Sequence, residues 1–167
     1  MEDRVRRLAV TALAVVGLLA VGVVALLEYI SDPLIQSSRH STYAGAEAAG
    51  LFTRGWLPVF VPRSSTMICE VHSLDTNEVC ATLSVNPADL KEFKADLLRL
   101  GFVEIVGRVV PPRAWCASGV CQFAVRCEAS GGLFRGPSDI SGTHDYFAIN
   151  HQTSNVCYWK AFDEPSA

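Results

Sequence analysis

Residues 8–27 read LAVTALAVVGLLAVGVVALL, twenty residues without a charge and with one hydroxyl, Thr11. At about 1.5 Å of rise per residue such a helix is roughly 30 Å long, the thickness of a bilayer's hydrocarbon core. A helix keeps its backbone hydrogen bonds within itself, so this stretch can span lipid alone. Arg4, Arg6 and Arg7 precede it, and only Arg39 lies within about 15 residues of its far end, so the N-terminus is expected on the cytoplasmic side. The rival reading is a cleaved signal peptide, whose apolar region runs for about 7–15 residues and ends at a small-x-small site. Ala20-Val21-Gly22 offers such a site, but the apolar run continues to Leu27. No cysteine precedes Cys69, so there is no lipoprotein attachment point. The span holds no ionisable group and no two small residues four apart, which argues against an ion path or a helix-dimer seam.

Beyond the span about 140 residues remain, room for one domain. The chain has 14 Lys and Arg against 17 Asp and Glu. Residues 1–7 take three Arg, Glu2 and Asp3, so the remainder is 11 against 15, net −4. That balance leaves no basic footprint for nucleic acid.

In chain order, residues 28–40 form a linker in which Pro33 breaks any continuation of the membrane helix. Ser41 or Thr42 can cap a short helix, YAGAEAAGLFTR, stopped by Gly55. From Arg54 to Met67 the apolar residues Trp56, Leu57, Val59, Phe60 and Val61 are interrupted by Pro58 and Pro62, which exclude an ordinary central strand. An extended, proline-stiffened strap across a core fits, followed by one helical turn capped at Ser64-Ser65-Thr66. Trp56 either anchors that strap in the core or floors a binding groove that Arg54, Ser64 and Ser65 could line.

Ser73 to Asn77 is a turn cluster. Val79, Ala81, Leu83 and Val85 alternate with Cys80, Thr82 and Ser84, the pattern of a half-buried strand. Asn86 as N-cap, Pro87 at the first helical position, Asp89 in the first turn, and apolar Leu90, Phe93, Leu97 and Leu98 predict a helix over 87–100 that Gly101 stops. Strands are then expected at Phe102–Val110 and Cys121–Cys127, a Gly/Ser/Asp loop at 131–142, and a closing hairpin of Asp145–Asn150 with Val156–Phe162. The fold class is α+β: helices on one face of a mainly antiparallel sheet.

Three segments, RGWLP (54–58), VPRSSTMI (61–68) and HSLDTN (72–77), resemble those of a group of small bacterial envelope proteins with an N-terminal anchor and a compact head domain. In that group the middle segment is Pro-x-Ser-Ala-Thr; here Ser65 stands in place of the Ala. The resemblance implies an inner-membrane protein with a single pass and a periplasmic or extracellular head. It implies no activity. The resulting division is a cytoplasmic N-terminus (1–7), a transmembrane helix (8–27), a linker (28–40) and a head domain (41–167).

All six cysteines, Cys69, Cys80, Cys116, Cys121, Cys127 and Cys157, follow the span. An even number on the oxidising side of a membrane reads as disulfides. Short loops favour Cys69–Cys80 and Cys116–Cys121, leaving Cys127–Cys157. No CxxC pair occurs and no His sits at ligand spacing, so neither a metal centre, a redox dithiol nor any cofactor is expected. The common hydrolase, nucleotide and metalloprotease motifs are missing. Two functions of different class remain. One is a non-enzymatic interaction or assembly module with an envelope protein partner, for which Arg54, Trp56, Ser64, Ser65, His72 and Asp75 are the candidate contact residues. The other is a hydrolase or small-ligand sensor using His72, Asp75 and His144, if the fold joins them in one pocket.

Overall fold

The computed structural model describes residues 34–106 and 132–162, together with Gly17, Cys116, Cys121 and Cys127. The chain divides into two units, 1–34 and 35–167, and the sheet with its helices belongs to the second. The expected membrane helix lies outside the described residues except for Gly17, which is helical. Among the described residues no helix is long and apolar enough to cross a membrane.

The elements are β1 (Ile35–Thr42), α1 (Tyr43–Ala48), β2 (Thr66–Ser73), β3 (Val79–Ser84), α2 (Pro87–Arg99), β4 (Val103–Ile105), β5 (Leu133–Ser138), β6 (Thr143–Asn150) and β7 (Asn155–Phe162). The strands form one sheet in the order β1-β2-β3-β7-β6-β5-β4. Every neighbouring pair is antiparallel. The expected α+β class and antiparallel sheet are therefore present.

Several local expectations change. The linker ends early: residues 35–42 are an edge strand, paired with β2 from Ile35↔Ser73 to Thr42↔Thr66. The first helix stops at Ala48 rather than running to Arg54. Gly50, at φ +77°, takes the left-handed position, with Gly50 N–H donating to Glu47 O and Leu51 N–H to Ala46 O. That paired-bond ending is complete at Leu51, two residues after Ala49, so the internal glycine wins over Gly55. The segment after it is a string of turns rather than an extended strap. Pro58 O accepts from Val61 N–H and Pro62 O from Ser65 N–H, so each proline opens a turn. Residues 64–66 start no helix; Thr66 opens β2, and the register shifts between Thr66 and Cys69. The 131–142 loop contains β5, whose Leu133 and Phe134 are buried on opposite faces. Helix α2 and the β6–β7 hairpin stand where the sequence puts them. The strand expected at 102–110 is described only as β4, and residues 107–115 and 122–126 lie outside the described residues.

Register assigns the two faces. One face carries Ile68 on β2, Val79, Ala81 and Leu83 on β3, Val156 and Tyr158 on β7, Phe147 and Ile149 on β6, and Phe134 on β5. It packs with Tyr43 and Ala46 of α1, Leu51, Phe52, Trp56, Leu57 and Val61 of the turns, and Leu90, Phe93 and Leu97 of α2. Phe147 is its hub, with Phe93, Phe102 and Tyr158 at ring-centroid distances of 5.4, 5.6 and 5.0 Å. Gly136 makes room beside it: a Cβ there would lie 2.8 Å from the Phe102 ring.

The opposite face carries Cys69, Cys80 and Cys157 on three adjacent strands. They bond to Cys121, Cys116 and Cys127 respectively, and no cysteine is free. Only Cys127–Cys157 matches the expected pairing. Cys69 faces Thr82 and Cys80 faces Val71, so Cys69 and Cys80 are diagonal neighbours. A diagonal separation of about 7–8 Å between strands exceeds what a disulfide reaches. Short sequence distance misled, because strand register rather than loop length sets which sulfurs meet. The disulfides also explain why β3 is buried on both faces, with Cys80 and Thr82 at 1% and 0% exposure, rather than half-buried.

Candidate functional site

Strand β2 reads Thr-Met-Ile-Cys-Glu-Val-His-Ser, and its alternation puts Ile68, Glu70 and His72 on the core face. Ile68 joins the apolar core; Glu70 and His72 sit beside it, buried to 0% and 5% exposure. On one side β1 presents Ser38 opposite Glu70 and Gln36 opposite His72. On the other, β3 presents Ala81 and Val79 at the same levels, both apolar.

Glu70 Oε1 lies 2.5 Å from His72 Nδ1, and the Ser38 hydroxyl donates to Glu70 Oε2 at 3.1 Å. Trp56 covers His72. Its ring stacks on the His72 imidazole with centroids 3.8 Å apart and planes 16° from parallel. Trp56 is brought there by two bonds to one carbonyl, with Trp56 N–H and Leu57 N–H both donating to Leu51 O. The Arg54 side chain folds back over Gly50 and donates to Ala49 O, while the residue stays exposed.

Burial sets the electrostatics. It pushes the Glu70 carboxyl up to about 7, against the opposing effects of the Ser38 hydroxyl and the Arg54 charge. It pushes His72 down, and Arg54 acts in the same direction. Both shifts favour the neutral forms of the pair, in which a protonated Glu70 donates to His72 Nδ1. The imidazole then carries its own proton on Nε2. His72 Nε2 and Trp56 Nε1 are both buried without a hydrogen-bond partner among the described residues.

The sequence-derived candidates separate into three places. Trp56 and His72 come together, joined by Glu70 and Ser38, while Arg54 reaches Glu70 and His72 through its charge. Ser64 and Ser65 belong to the turn before β2: Ser64 donates to Asp89 Oδ2 of α2, and Ser65, 1% exposed, donates to Pro62 O. Asp75 is exposed in the β2–β3 turn, whose bonds run from Thr76 N–H to Ser73 Oγ and from Thr76 Oγ1 to Glu78 Oε2. His144 is on β6, on the disulfide side of the sheet, with its Nδ1 donating to Gly136 O at 2.7 Å. Strands β3 and β7 separate it from His72, roughly 14 Å at about 4.8 Å per strand. The catalytic trio of His72, Asp75 and His144 is thus not assembled, because the pleat sends the two histidines to opposite faces. Among the described residues no group of three or more His, Cys, Asp or Glu is placed to hold a metal ion.

Glu70 is the residue sequence reasoning missed. The signal was there: Ile68, Glu70 and His72 alternate at period two, with Cys69 and Val71 between them. A carboxylate on the apolar side of such a strand needs a buried partner.

Residues 35–84 match the family model of the YbbD head domain. The match runs from the first residue of β1 to the last of β3, and it contains Ser38, Arg54, Trp56, Glu70 and His72. All three segments that carry the head-domain resemblance fall inside it. No curated protein and no solved structure matches the chain.

Proposed function

We propose that this chain is an envelope protein held in the inner membrane by Leu8 to Leu27, with a periplasmic or extracellular head that serves as a non-enzymatic interaction or assembly module. The observation that carries the reading is the disulfide set. All six cysteines follow the apolar span and all six are paired. Such bonds persist in oxidising compartments and are rare in the cytosol. The three arginines before the span and the YbbD head similarity support the same placement. The hydrolase reading loses its support, since its three side chains are not together.

The test is topology followed by capture. A periplasmic-active reporter fused after Ala167 should be active, and the chain should stay with membranes after an alkaline wash. Crosslinking in whole cells should then trap an envelope protein through the head. Release as a soluble chain lacking the apolar run would replace the anchor with a signal peptide; an inactive reporter would overturn the envelope reading.

A further inference from the structure

A sheet edge with spare backbone groups is a template for another strand, so folded proteins shorten, charge, bulge or cover their edges. The two edges of this sheet differ in that respect. β4 is three residues long, and its central Glu104 is paired with Lys94 of α2. β1 is eight residues long and reads Ile-Gln-Ser-Ser-Arg-His-Ser-Thr, with no Pro, Gly or Lys. It holds the same register against β2 at both ends, from Ile35↔Ser73 to Thr42↔Thr66. Gln36, Ser37, Arg39, Ser41 and Thr42 are exposed, and among the described residues no strand pairs with the outer side of β1.

The ladder shows which backbone groups face outward. Ser73 N–H donates to Glu78 O, so β2 turns Ser73 and, at every second residue, Val71 and Cys69 toward β3. His72, Glu70 and Ile68 turn toward β1, where they meet Gln36, Ser38 and His40. The N–H and C=O groups of Ile35, Ser37 and Arg39 therefore point out of the edge.

We propose that β1 is a self-pairing surface, adding antiparallel and across a twofold axis to β1 of a second copy of this chain. A second copy fits better than a foreign peptide. Added strands gain specificity when alternate side chains enter pockets, and β1 flanks its edge with Ser, Gln and Thr instead. Charge selects the register. Outward groups must meet outward groups, so the strand is centred on a residue that faces itself. Centred on Arg39, two guanidinium charges stand directly opposite, which destabilises. Centred on Ser38, Arg39 lies opposite Ser37 of the second copy and Gln36 opposite His40, and Ser37 and Arg39 exchange their outward bonds. The Ser38-centred register is the one adopted. Such an interface is isologous and closes at two copies. It does not depend on membrane location, so it and the envelope reading stand or fall separately.

The test is sedimentation equilibrium of the full-length chain, disulfides intact, in detergent micelles over a range of chain concentrations. A monomer–dimer equilibrium with nothing larger is expected. Ser37→Pro removes an N–H that faces out of the sheet and should abolish the dimer while the monomer stays folded. Two variants at the same exposed position test the register even where the proline variant fails to fold. Ser37→Glu sets a carboxylate opposite Arg39 and should tighten association about threefold to tenfold, and Ser37→Lys should weaken it by as much. A chain that stays monomeric at every concentration would leave this edge to another protein and overturn the proposal. A dimer unchanged by Ser37→Pro would place the contact on another surface, and equal affinities of the Ser37→Glu and Ser37→Lys variants would exclude the register; either overturns it too.

Discussion

Glu70 decides more about this molecule than any other single side chain. Its carboxyl is raised from 4.5 to about 7 by burial. Between those values the folded chain holds a proton that the unfolded chain has released. The stabilisation is complete below about pH 4.5 and is lost as pH rises through about 7. His72 acts in the opposite sense: its folded value lies below 6.5, so its contribution is present above that value and lost as pH falls. Glu70→Gln keeps a hydrogen-bonding amide and removes the first titration. Urea unfolding at pH 5 and pH 8 should show the variant gaining on wild type by roughly 3 kcal/mol across that interval. A difference that does not change with pH would mean the carboxylate is already ionised in the fold. Trp56 is the second test at this scale. It belongs to the main core cluster while also covering His72. Trp56→Ala should cost about 3–5 kcal/mol and lower the melting temperature by well over about 4 °C. Gly136→Ala needs a Cβ where the Phe102 ring stands, 2.8 Å away, and should destabilise by about 1–3 kcal/mol in the same melt.

Among the elements, α2 and the closing hairpin were legible because local chemistry suffices for them. Asn86 accepts from Ala88 N–H and Pro87 opens the helix, and Asn150 accepts from the Gln152 and Thr153 N–H groups at the hairpin turn. Strands β1 and β2 were not legible. β1 is a polar edge, Ile-Gln-Ser-Ser-Arg-His-Ser-Thr, with no alternation of apolar residues to mark it. β2 hides its strand pattern by burying Glu70 and His72 among apolar residues, and β-strands of that kind are specified by their neighbours rather than by themselves. The candidate site suffered the same way: Arg54, Trp56 and His72 were visible as residues, but the strand that gathers them was not. The disulfides failed for a related reason, since the pairing depends on the register of β2 against β3. A digest under non-reducing conditions should give the peptide pairs Cys69–Cys121, Cys80–Cys116 and Cys127–Cys157. A Cys69–Cys80 peptide pair would mean that the β2–β3 register is wrong.

At the scale of the whole molecule, the sheet joins segments far apart in the sequence. β3, from the first half, pairs along its length with β7, the last strand. Two of the three disulfides span the same divide, with sequence separations of 52 and 36. Loop closure of that size is worth about 4 kcal/mol per bridge in the chain-entropy account. The same arrangement dictates an order of events for a chain delivered from its N-terminal end. When residues 35–84 are out, Cys69 and Cys80 are the only thiols present, and their proper partners have not arrived. An oxidant that acts then can join these two only to each other, and any such bridge must be undone before Cys116 and Cys121 take their places in the mature pairing. The speed at which this protein matures should therefore depend on thiol–disulfide exchange, and be set by a helper that reshuffles sulfur rather than by one that merely oxidises it.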